Sequence, residues 1–178
     1  MKNILIISGH TDLNDSVANK KILELLADSL PQSRQVHLDK LYPDFAIDVR
    51  AEQEKLLWAD IIVLQFPVFW FSIPSLMHRW MECTFLHGFS HGSSGDKLRG
   101  KKLVLSYTTG APSEAVPFDD FFLFLKAAAQ FTGMEYAGSV ATGNVSYQMR
   151  QDPELLAQID AKAAEHAQRL VQFLTSMD

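Results

Sequence analysis

The segment that follows the first apolar run of the chain carries side chains that can bind an anion. His10, Thr11, Ser16 and Asn19 offer an imidazole, two hydroxyls and an amide just before a predicted helix. The amino terminus of a helix adds unpaired backbone N–H groups, so this segment could hold a phosphate without a lysine. Ser16 could equally serve only as the cap of that helix.

A second segment, residues 66–74, is unusually aromatic for a predicted loop. Phe66, Phe69, Trp70 and Phe71 occur there within a stretch that contains two prolines. Loops lie at the surface, so rings in a loop favour a flat apolar ligand such as a planar heterocycle, whose polar edge would meet backbone N–H groups. Two alternatives stay open: the rings fill the gap between sheet and helix, or they form a subunit interface.

Other arrangements of reactive residues are not supported by their surroundings. The first segment contains neither G-x-G-x-x-G nor G-x-x-x-x-G-K-[ST], which disfavours the usual dinucleotide domains and the P-loop hydrolases. Ser8, His10 and Asp12 lack the G-x-S-x-G turn of a hydrolase. His87 and His91 have no patterned acidic or thiol partners, so no metal site is predicted. His91 is retained only as a candidate contact for a substrate.

The elements that would position these segments alternate between strand and helix. Continuous apolar runs, and two weaker ones, predict strands at residues 4–7, 35–38, 61–65, 103–107 and 136–141. Helical periodicity occupies the intervals between them. The pattern predicts an α/β fold: a parallel, doubly wound sheet of five strands with helices on both faces, in a single domain over residues 1–178.

Prolines, one aspartate and one glycine predict where the elements begin and end. Pro67 should stop the third strand, because proline cannot donate a hydrogen bond to a sheet. Asp48 should cap a helix, and Pro74 and Pro153 should each open one. A helix over residues 119–132 should end at Gly133. The last helix could belong to the core or to a dimer interface.

The predicted sheet would bring the candidate segments together at one edge. In open parallel sheets, ligands bind beyond the carboxyl ends of the strands, where the strand order reverses. This predicts contact among residues 10–19, residues 67–73 and residues 108–117, the last of which contains a glycine that lets backbone approach a ligand. Together the three segments favour one mononucleotide site.

Composition narrows the remaining function classes. The chain has 178 residues, of which 47% are hydrophobic and 21% charged, as in a globular domain. Its net charge of -5 gives no support to nucleic-acid binding. A single cysteine, Cys83, and the absence of a secretory or spanning segment predict a cytoplasmic protein.

Several blocks of this sequence resemble a known family, the flavodoxin-like NAD(P)H:quinone oxidoreductases. The resemblance is strongest to the ancillary oxidoreductases of glutathione-regulated potassium efflux systems. The block Pro-x-x-Trp-aromatic-Ser-x-Pro at residues 67–74 is the most specific match. The further matching blocks are residues 16–20, 41–45, 47–48, 52–53, 59–63, 65–67 and 108–110.

The resemblance implies a flavodoxin-like sheet, FMN rather than FAD as the cofactor, and a homodimer with flavin sites at its interface. It further implies ping-pong transfer in which NAD(P)H is the co-substrate and a quinone is the acceptor. The cofactor-binding residues carried over by position are His10, Ser16, Val17, Ala18, Asn19, Pro67, Val68, Phe69, Trp70, Phe71, Thr108, Thr109, Gly110 and Ala111.

The sequence departs from the family pattern at three places. Phe71 stands where relatives often have tyrosine, and Gly110-Ala111 stands where they often have two glycines. The tyrosine and histidine pair of larger quinone reductases has no counterpart in residues 111–118. No catalytic side chain is therefore assigned, since the cofactor would carry the chemistry.

Three functions remain in competition at this level. The first is an enzyme that reduces quinones or similar small electrophilic acceptors. The second is a regulatory subunit of a potassium efflux transporter, located peripherally at the inner face of the membrane through that partner, in which the flavin site is structural or sensory. The third is a one-electron carrier; the aromatic segment and the implied dimer fit an enzyme better.

Overall fold

The five predicted strands form one parallel sheet. A computed structural model describes residues 2–112 and 118–177, apart from the side chains of residues 118 and 119. The strands are β1 (Ile4–Ser8), β2 (Arg34–His37), β3 (Ile61–Pro67), β4 (Lys102–Thr108) and β5 (Glu135–Thr142). Their order is β2-β1-β3-β4-β5 and neighbouring pairs are parallel. The prediction of an α/β, doubly wound, five-stranded parallel sheet is therefore confirmed.

Helices cover both faces of the sheet. The α-helices are α1 (Asn19–Ser29), α2 (Leu38–Leu41), α3 (Val49–Trp58), α4 (Ser75–Thr84), α5 (Phe118–Phe121), α6 (Leu123–Thr132) and α7 (Pro153–Thr175). Two short 3-10 helices, Leu13–Asp15 and Tyr147–Gln151, follow β1 and β5. The short helix α2 was not predicted, because four residues carry too little periodicity to be recognised.

The apolar runs are buried on both sides because successive strand residues point to opposite faces. In β1, Ile4 and Ile6 belong to the core cluster that contains α1 and α7. Leu5 and Ile7 belong to the opposite cluster, with α3, α4 and α6. Each face thus has its own apolar layer, and a continuous run such as residues 4–7 serves both layers.

Most of the predicted helix boundaries are confirmed. The Asp48 carboxylate accepts a hydrogen bond from the N–H of Ala51 (3.0 Å) at the start of α3. Gly133 ends α6 in the left-handed conformation, with a φ of 74°. Pro153 opens α7. Helix α4 begins one residue later than predicted: Pro74 is its N-cap, and Ser75 is its first helical residue.

One predicted boundary was wrong for a reason of tertiary structure, and the predicted end of the third strand at Pro67 was confirmed. The helix predicted over residues 119–132 is interrupted at Phe122, whose ring is fully buried against Phe66 and Tyr107. Pro67 does stop β3: it is the last residue of the strand, paired with Thr108 of β4, and the strand runs two residues beyond the predicted Gln65. The pairing of β3 with β1 ends at Gln65, so Pro67 has no neighbour there that requires its missing N–H.

The apolar stripe of α7 belongs to the core rather than to an interface. Ile159, Ala163, Ala167, Leu170 and Leu174 are buried in the same cluster as α1 and β1. In the part of the chain that the structure describes, no helix has both the length and the apolar character needed to cross a bilayer.

Candidate functional site

The loops after β1, β3 and β4 meet at the carboxyl edge of the sheet. The chain passes from β1 to β2 on one side of β1 and then crosses to β3 on the other side. The strand order therefore reverses between β1 and β3, the position where such sheets bind ligands. Two cavities open at this edge, with volumes of about 150 Å³ and about 290 Å³. The predicted meeting of the three segments is therefore observed for their described residues.

Thirteen of the fourteen predicted binding residues line these cavities, and Ser16 does not. Among them, the smaller cavity is lined by His10, Val17, Ala18, Asn19, Pro67, Phe69 and Thr108. The larger cavity is lined by Val68, Trp70, Phe71, Thr109, Gly110 and Ala111. Their role in binding a flavin stays a prediction.

A buried hydrogen-bond network joins β3, β4 and the start of α1 beneath the smaller cavity. The Gln65 side chain donates to Oδ1 of Asn19 (2.6 Å), and Nδ2 of Asn19 donates to Oγ1 of Thr108 (3.1 Å). All three side chains are buried. Because Gln65 ends the paired part of β1 and β3 and Thr108 ends β4, this network holds the start of α1 against both strands.

The amino terminus of α1 is open on its cavity side. Its N-cap residue, Ala18, provides no side-chain hydrogen bond. The Ser16 hydroxyl accepts a hydrogen bond from the N–H of Lys20 (3.1 Å), the second residue of α1, so Ser16 does act as a cap of the first turn. The N–H groups of the first turn are what a helix offers to an anion when no side chain occupies them.

His10 supplies a further donor to the smaller cavity. Burial lowers the pKa of its imidazole, against the opposing charges of Asp39, Asp12 and Asp15, so the ring is neutral near neutral pH. Its Nδ1 accepts a hydrogen bond from the N–H of Asp12 (3.1 Å). The proton of the neutral ring therefore lies on Nε2, which can donate to a ligand oxygen.

The aromatic segment forms a tight turn at the rim of the larger cavity. Phe69 and Ser72 exchange two backbone hydrogen bonds of 3.0 Å, and the two residues between them, Trp70 and Phe71, have φ values of 49° and 61°. Bulky residues rarely adopt positive φ, and such strain concentrates at binding sites. The turn leaves the Trp70 side chain 93% exposed.

This geometry excludes one of the alternatives, filling of the gap between sheet and helix, for two rings of the aromatic segment. Phe66 is fully buried and does fill the space between sheet and helix. Trp70 and Phe71 are exposed and do not, although the ring of Phe71 lies 5.5 Å from that of Phe121. Ligand binding and a subunit interface therefore remain for these two rings, and one surface could serve both.

A fourth segment contributes to the site and was not predicted. Val145 and Tyr147, which follow β5, line the smaller cavity together with Asp12 and Asp15 from the β1 loop. Arg150 forms an ion pair with Asp15. The rule that ligands bind beyond the carboxyl ends of parallel strands applies to β5 as well, and it could have identified this segment.

The suggestion that His91 contacts a substrate is wrong for the site of its own chain. Its ring lies 5.2 Å from that of Phe131, in the last turn of α6. That turn leads into the amino end of β5, so His91 lies at the opposite edge of the sheet. Of the stretch 111–118, residues 113–117 lie outside the described residues.

Taken together, the donor groups and the rings fit a ligand with an anionic end and a flat end. His10 Nε2 and the first turn of α1 are hydrogen-bond donors that face the smaller cavity. The larger cavity is apolar on the side of Val68, Trp70 and Phe71. A side chain added at Gly110 would meet no atom within 4 Å, so the space beside this glycine is open.

Comparison with known proteins agrees with this geometry. The sequence model of a family described as having a flavodoxin-like fold matches residues 2–170. A glutathione-regulated potassium-efflux system ancillary protein, KefF of Klebsiella pneumoniae strain 342, is 40% identical over 139 residues, which cover 75% of this chain and 78% of that protein.

Two solved structures share the fold at 22% identity each. General stress protein 14 of Treponema denticola, solved in complex with FMN, superposes with a TM-score of 0.84 over 96% of this chain and 99% of its own. An NADPH-quinone reductase from P. pentosaceus superposes with a TM-score of 0.71 over 94% of this chain and 98% of its own.

Proposed function

The chain belongs to the flavodoxin-like fold family, and on that premise we propose that it is an FMN-dependent NAD(P)H oxidoreductase that reduces quinones or similar small electrophilic acceptors. The observation that carries the proposal is the pair of neighbouring cavities, one lined by hydrogen-bond donors and one by exposed rings. Structures of the same fold support it, since one holds FMN and another is named an NADPH-quinone reductase.

The residues of this chain would divide the binding of FMN between the two cavities. His10 and the first turn of α1 would hold the phosphate and ribityl end, because they present hydrogen-bond donors, although the Ser16 hydroxyl already occupies the N–H of Lys20. The turn at Trp70 and Phe71, opposite Gly110, would hold the ring system. FMN, when bound, would supply the hydride chemistry: it would take a hydride from NAD(P)H and pass it to a quinone, whose second proton would come from water.

The protein contributes position rather than a catalytic acid or base. Of the side chains lining the two cavities, His10 is neutral near pH 7 because burial lowers its pKa, and its remaining N–H is directed to binding. The co-substrate and the acceptor would occupy the larger cavity in turn, which is ping-pong transfer. NADH and NADPH both fit this scheme.

The exposed rings also support a homodimer, with the larger cavity completed by a second copy. Trp70 is 93% exposed and Phe71 is 58% exposed, and Phe121 extends the same apolar surface. Exposed apolar rings next to one another are typical of an interaction surface. Light scattering during gel filtration should give twice the chain mass of 20.0 kDa.

One substitution at Gly110 tests the proposed enzyme directly. Gly110→Leu should place a side chain beside the ring cavity, and the Cβ of that side chain would meet no atom within 4 Å. We expect purified wild-type protein to show flavin absorption that NADPH bleaches under argon and a quinone restores. The Leu variant should lose at least about tenfold in FMN affinity and keep its melting temperature.

Gly110→Ala is the matched control, since it adds a single methyl group at the same position and should retain the flavin and its NADPH response. Wild-type protein that stays colourless and takes up no added FMN would refute the proposal. So would flavin that is bound equally well by wild-type and Leu variant.

A second function is favoured by one specific observation, the 40% identity to an ancillary protein of a potassium efflux system. On this view the chain is a cytoplasmic protein held at the inner face of the membrane by a transporter, and its flavin site is structural or sensory. Deletion should then alter potassium efflux in cells, and Gly110→Leu protein should restore it. Restoration by wild-type protein alone would tie efflux to the flavin.

A further inference from the structure

Three side chains from two distant segments of the chain meet beside the smaller cavity, and two of them, Asp15 and Tyr147, line it. Arg150 forms an ion pair with Asp15, and the Tyr147 hydroxyl donates a hydrogen bond to the same carboxylate (3.2 Å). The guanidinium of Arg150 also lies 3.6 Å from the centre of the Tyr147 ring. Each of the three therefore contacts the other two, and we call this triangle the clasp.

The clasp is more than a chance ion pair at the surface. Isolated exposed pairs contribute little, because water screens them and two long side chains must be ordered. Here one carboxylate receives both donors, and a cation lies on the face of the second donor's ring, which orders all three groups at once. Hydrogen bonding to Arg150 also lowers the pKa of Asp15, which keeps that carboxyl ionised.

The segment that carries the clasp is attached to the rest of the site. The N–H groups of Asn144 and Val145 donate to the carbonyls of Ala111 (3.1 Å) and Thr109 (2.9 Å). Lys162 of α7 donates to the carbonyl of Asn144 (3.1 Å). Tyr147 and Arg150 are thus held relative to the loop after β4, and Asp15 is held by the loop after β1.

The position of the clasp limits the size of any group attached to the phosphate of a bound flavin. Asp15 and Tyr147 line the same cavity of about 150 Å³ as His10 and the start of α1. This volume is below the roughly 300 Å³ at which pockets for drug-sized ligands begin. A flavin dinucleotide carries an adenylate on the phosphate, and that group would need an open path on this side.

The charges around the smaller cavity disfavour a flavin dinucleotide, as does the small volume of that cavity. Asp12 and Asp15 both line the cavity, and two bare carboxylates would repel a phosphate. Arg150 neutralises one of them. The closed clasp therefore leaves room and charge for a terminal monophosphate, while a diphosphate linkage would have to break the ion pair and leave the Asp15 carboxylate facing added negative charge.

We propose that the clasp of Asp15, Tyr147 and Arg150 makes this site select a flavin that ends in a monophosphate over a flavin dinucleotide. The inference rests on the proposed function, because it concerns which flavin the same site accepts. It assigns a specificity role to a segment after β5 that has no part in holding the ring.

The test compares flavin affinities of the apoprotein, measured by quenching of flavin fluorescence. FMN and FAD are titrated into wild-type protein, into the double variant Asp15→Ala/Arg150→Ala, which opens the clasp without leaving an unpaired carboxylate, and into Gln148→Ala. Gln148 is the matched control, since it is exposed on the same 3-10 helix and is not part of the clasp. Circular dichroism and melting temperature establish that all three proteins fold.

We expect wild-type protein and Gln148→Ala to bind FMN at least about tenfold more tightly than FAD. The double variant should reduce that ratio by about tenfold, through weaker FMN binding, tighter FAD binding or both. A folded double variant with the wild-type ratio would overturn the clasp while leaving the proposed function intact. Wild-type protein that binds neither flavin would overturn both.

Discussion

Lowering the pH should destabilise this protein through His166, a fully buried imidazole at the start of the second half of α7. Its Nε2 lies 2.8 Å from the hydroxyl of Ser106 in β4, and its Nδ1 lies 2.9 Å from that of Thr142 in β5. A neutral ring serves both, since one nitrogen donates and the other accepts. His166 thereby ties α7 to the two strands whose carboxyl ends carry the Thr108–Gly110 and 143–147 segments.

The magnitude follows from the pKa of this group. Burial, aided by the charge of Arg169, lowers the pKa of His166 from 6.5 to about 3. Well above pH 6.5 the ring is neutral in both the folded and the unfolded protein, so its titration does not change the free energy of unfolding. Between 6.5 and 3 the unfolded chain binds a proton that the folded protein does not, so stability falls as the pH falls. At about pH 5 the loss is about 2 kcal/mol.

The assay is urea unfolding of the apoprotein, followed by tryptophan fluorescence at about pH 7.5 and about pH 5. Wild-type protein is compared with His166→Gln, and His78→Gln is the control because it replaces a half-exposed histidine. His166→Gln should lose about 1 to 3 kcal/mol at pH 7.5, when the two hydroxyls lose their partner. At pH 5 the difference from wild type should shrink by about 2 kcal/mol.

A comparison between variants is needed because burial also lowers the pKa values of His10 and His37, which add to the acid sensitivity of every protein in the set. If wild-type protein and His166→Gln lose the same stability between the two pH values, the argument from His166 is refuted. If the difference in free energy of unfolding between wild type and His78→Gln also shrinks at the lower pH, the effect is not specific to the buried ring.

Three further substitutions test other parts of the structure. Trp70→Ala should change the free energy of unfolding by less than about 0.5 kcal/mol, because the side chain is 93% exposed, yet weaken FMN binding and dimerisation, as measured by fluorescence titration and light scattering. Glu52→Gln should cost about 2 kcal/mol in urea unfolding, since the buried carboxylate accepts hydrogen bonds from Tyr42 (2.7 Å) and Trp80 (2.9 Å); an unchanged midpoint would contradict this. Gly133→Ala should cost about 1 to 2 kcal/mol, because alanine is strained at a φ of 74°, and a thermal melt as stable as wild type would exclude that strain.

The arrangement of the strands could be predicted because it depends on local composition. Runs such as residues 4–7 and 61–64 are apolar without alternation, as is typical of a strand that is covered on both faces. Asp48, Gly133 and Pro153 act within one or two turns of the helix ends that they define. The rule that ligands bind beyond the carboxyl ends of parallel strands then predicted most of the candidate site from the sequence.

The interruption of the helix at Phe122 could not be read from its own segment. Residues 119–132 have helical periodicity throughout, and nothing in them indicates a break. The break occurs because the ring of Phe122 packs between Phe66 and Tyr107, which come from two different strands. Tertiary packing outweighs helix propensity at a single position, since propensity differences are well below about 1 kcal/mol per residue.

The sequence by itself determined the sheet, its helices and the three segments that form the candidate site, because spacing and residue type act over short distances along the chain. Only the tertiary structure decided which residues complete that site. Tyr147 and Arg150 lie 132 and 135 residues from Asp15 along the chain. No local pattern relates residues so far apart, and they meet because β1 and β5 end at the same edge of one twisted sheet.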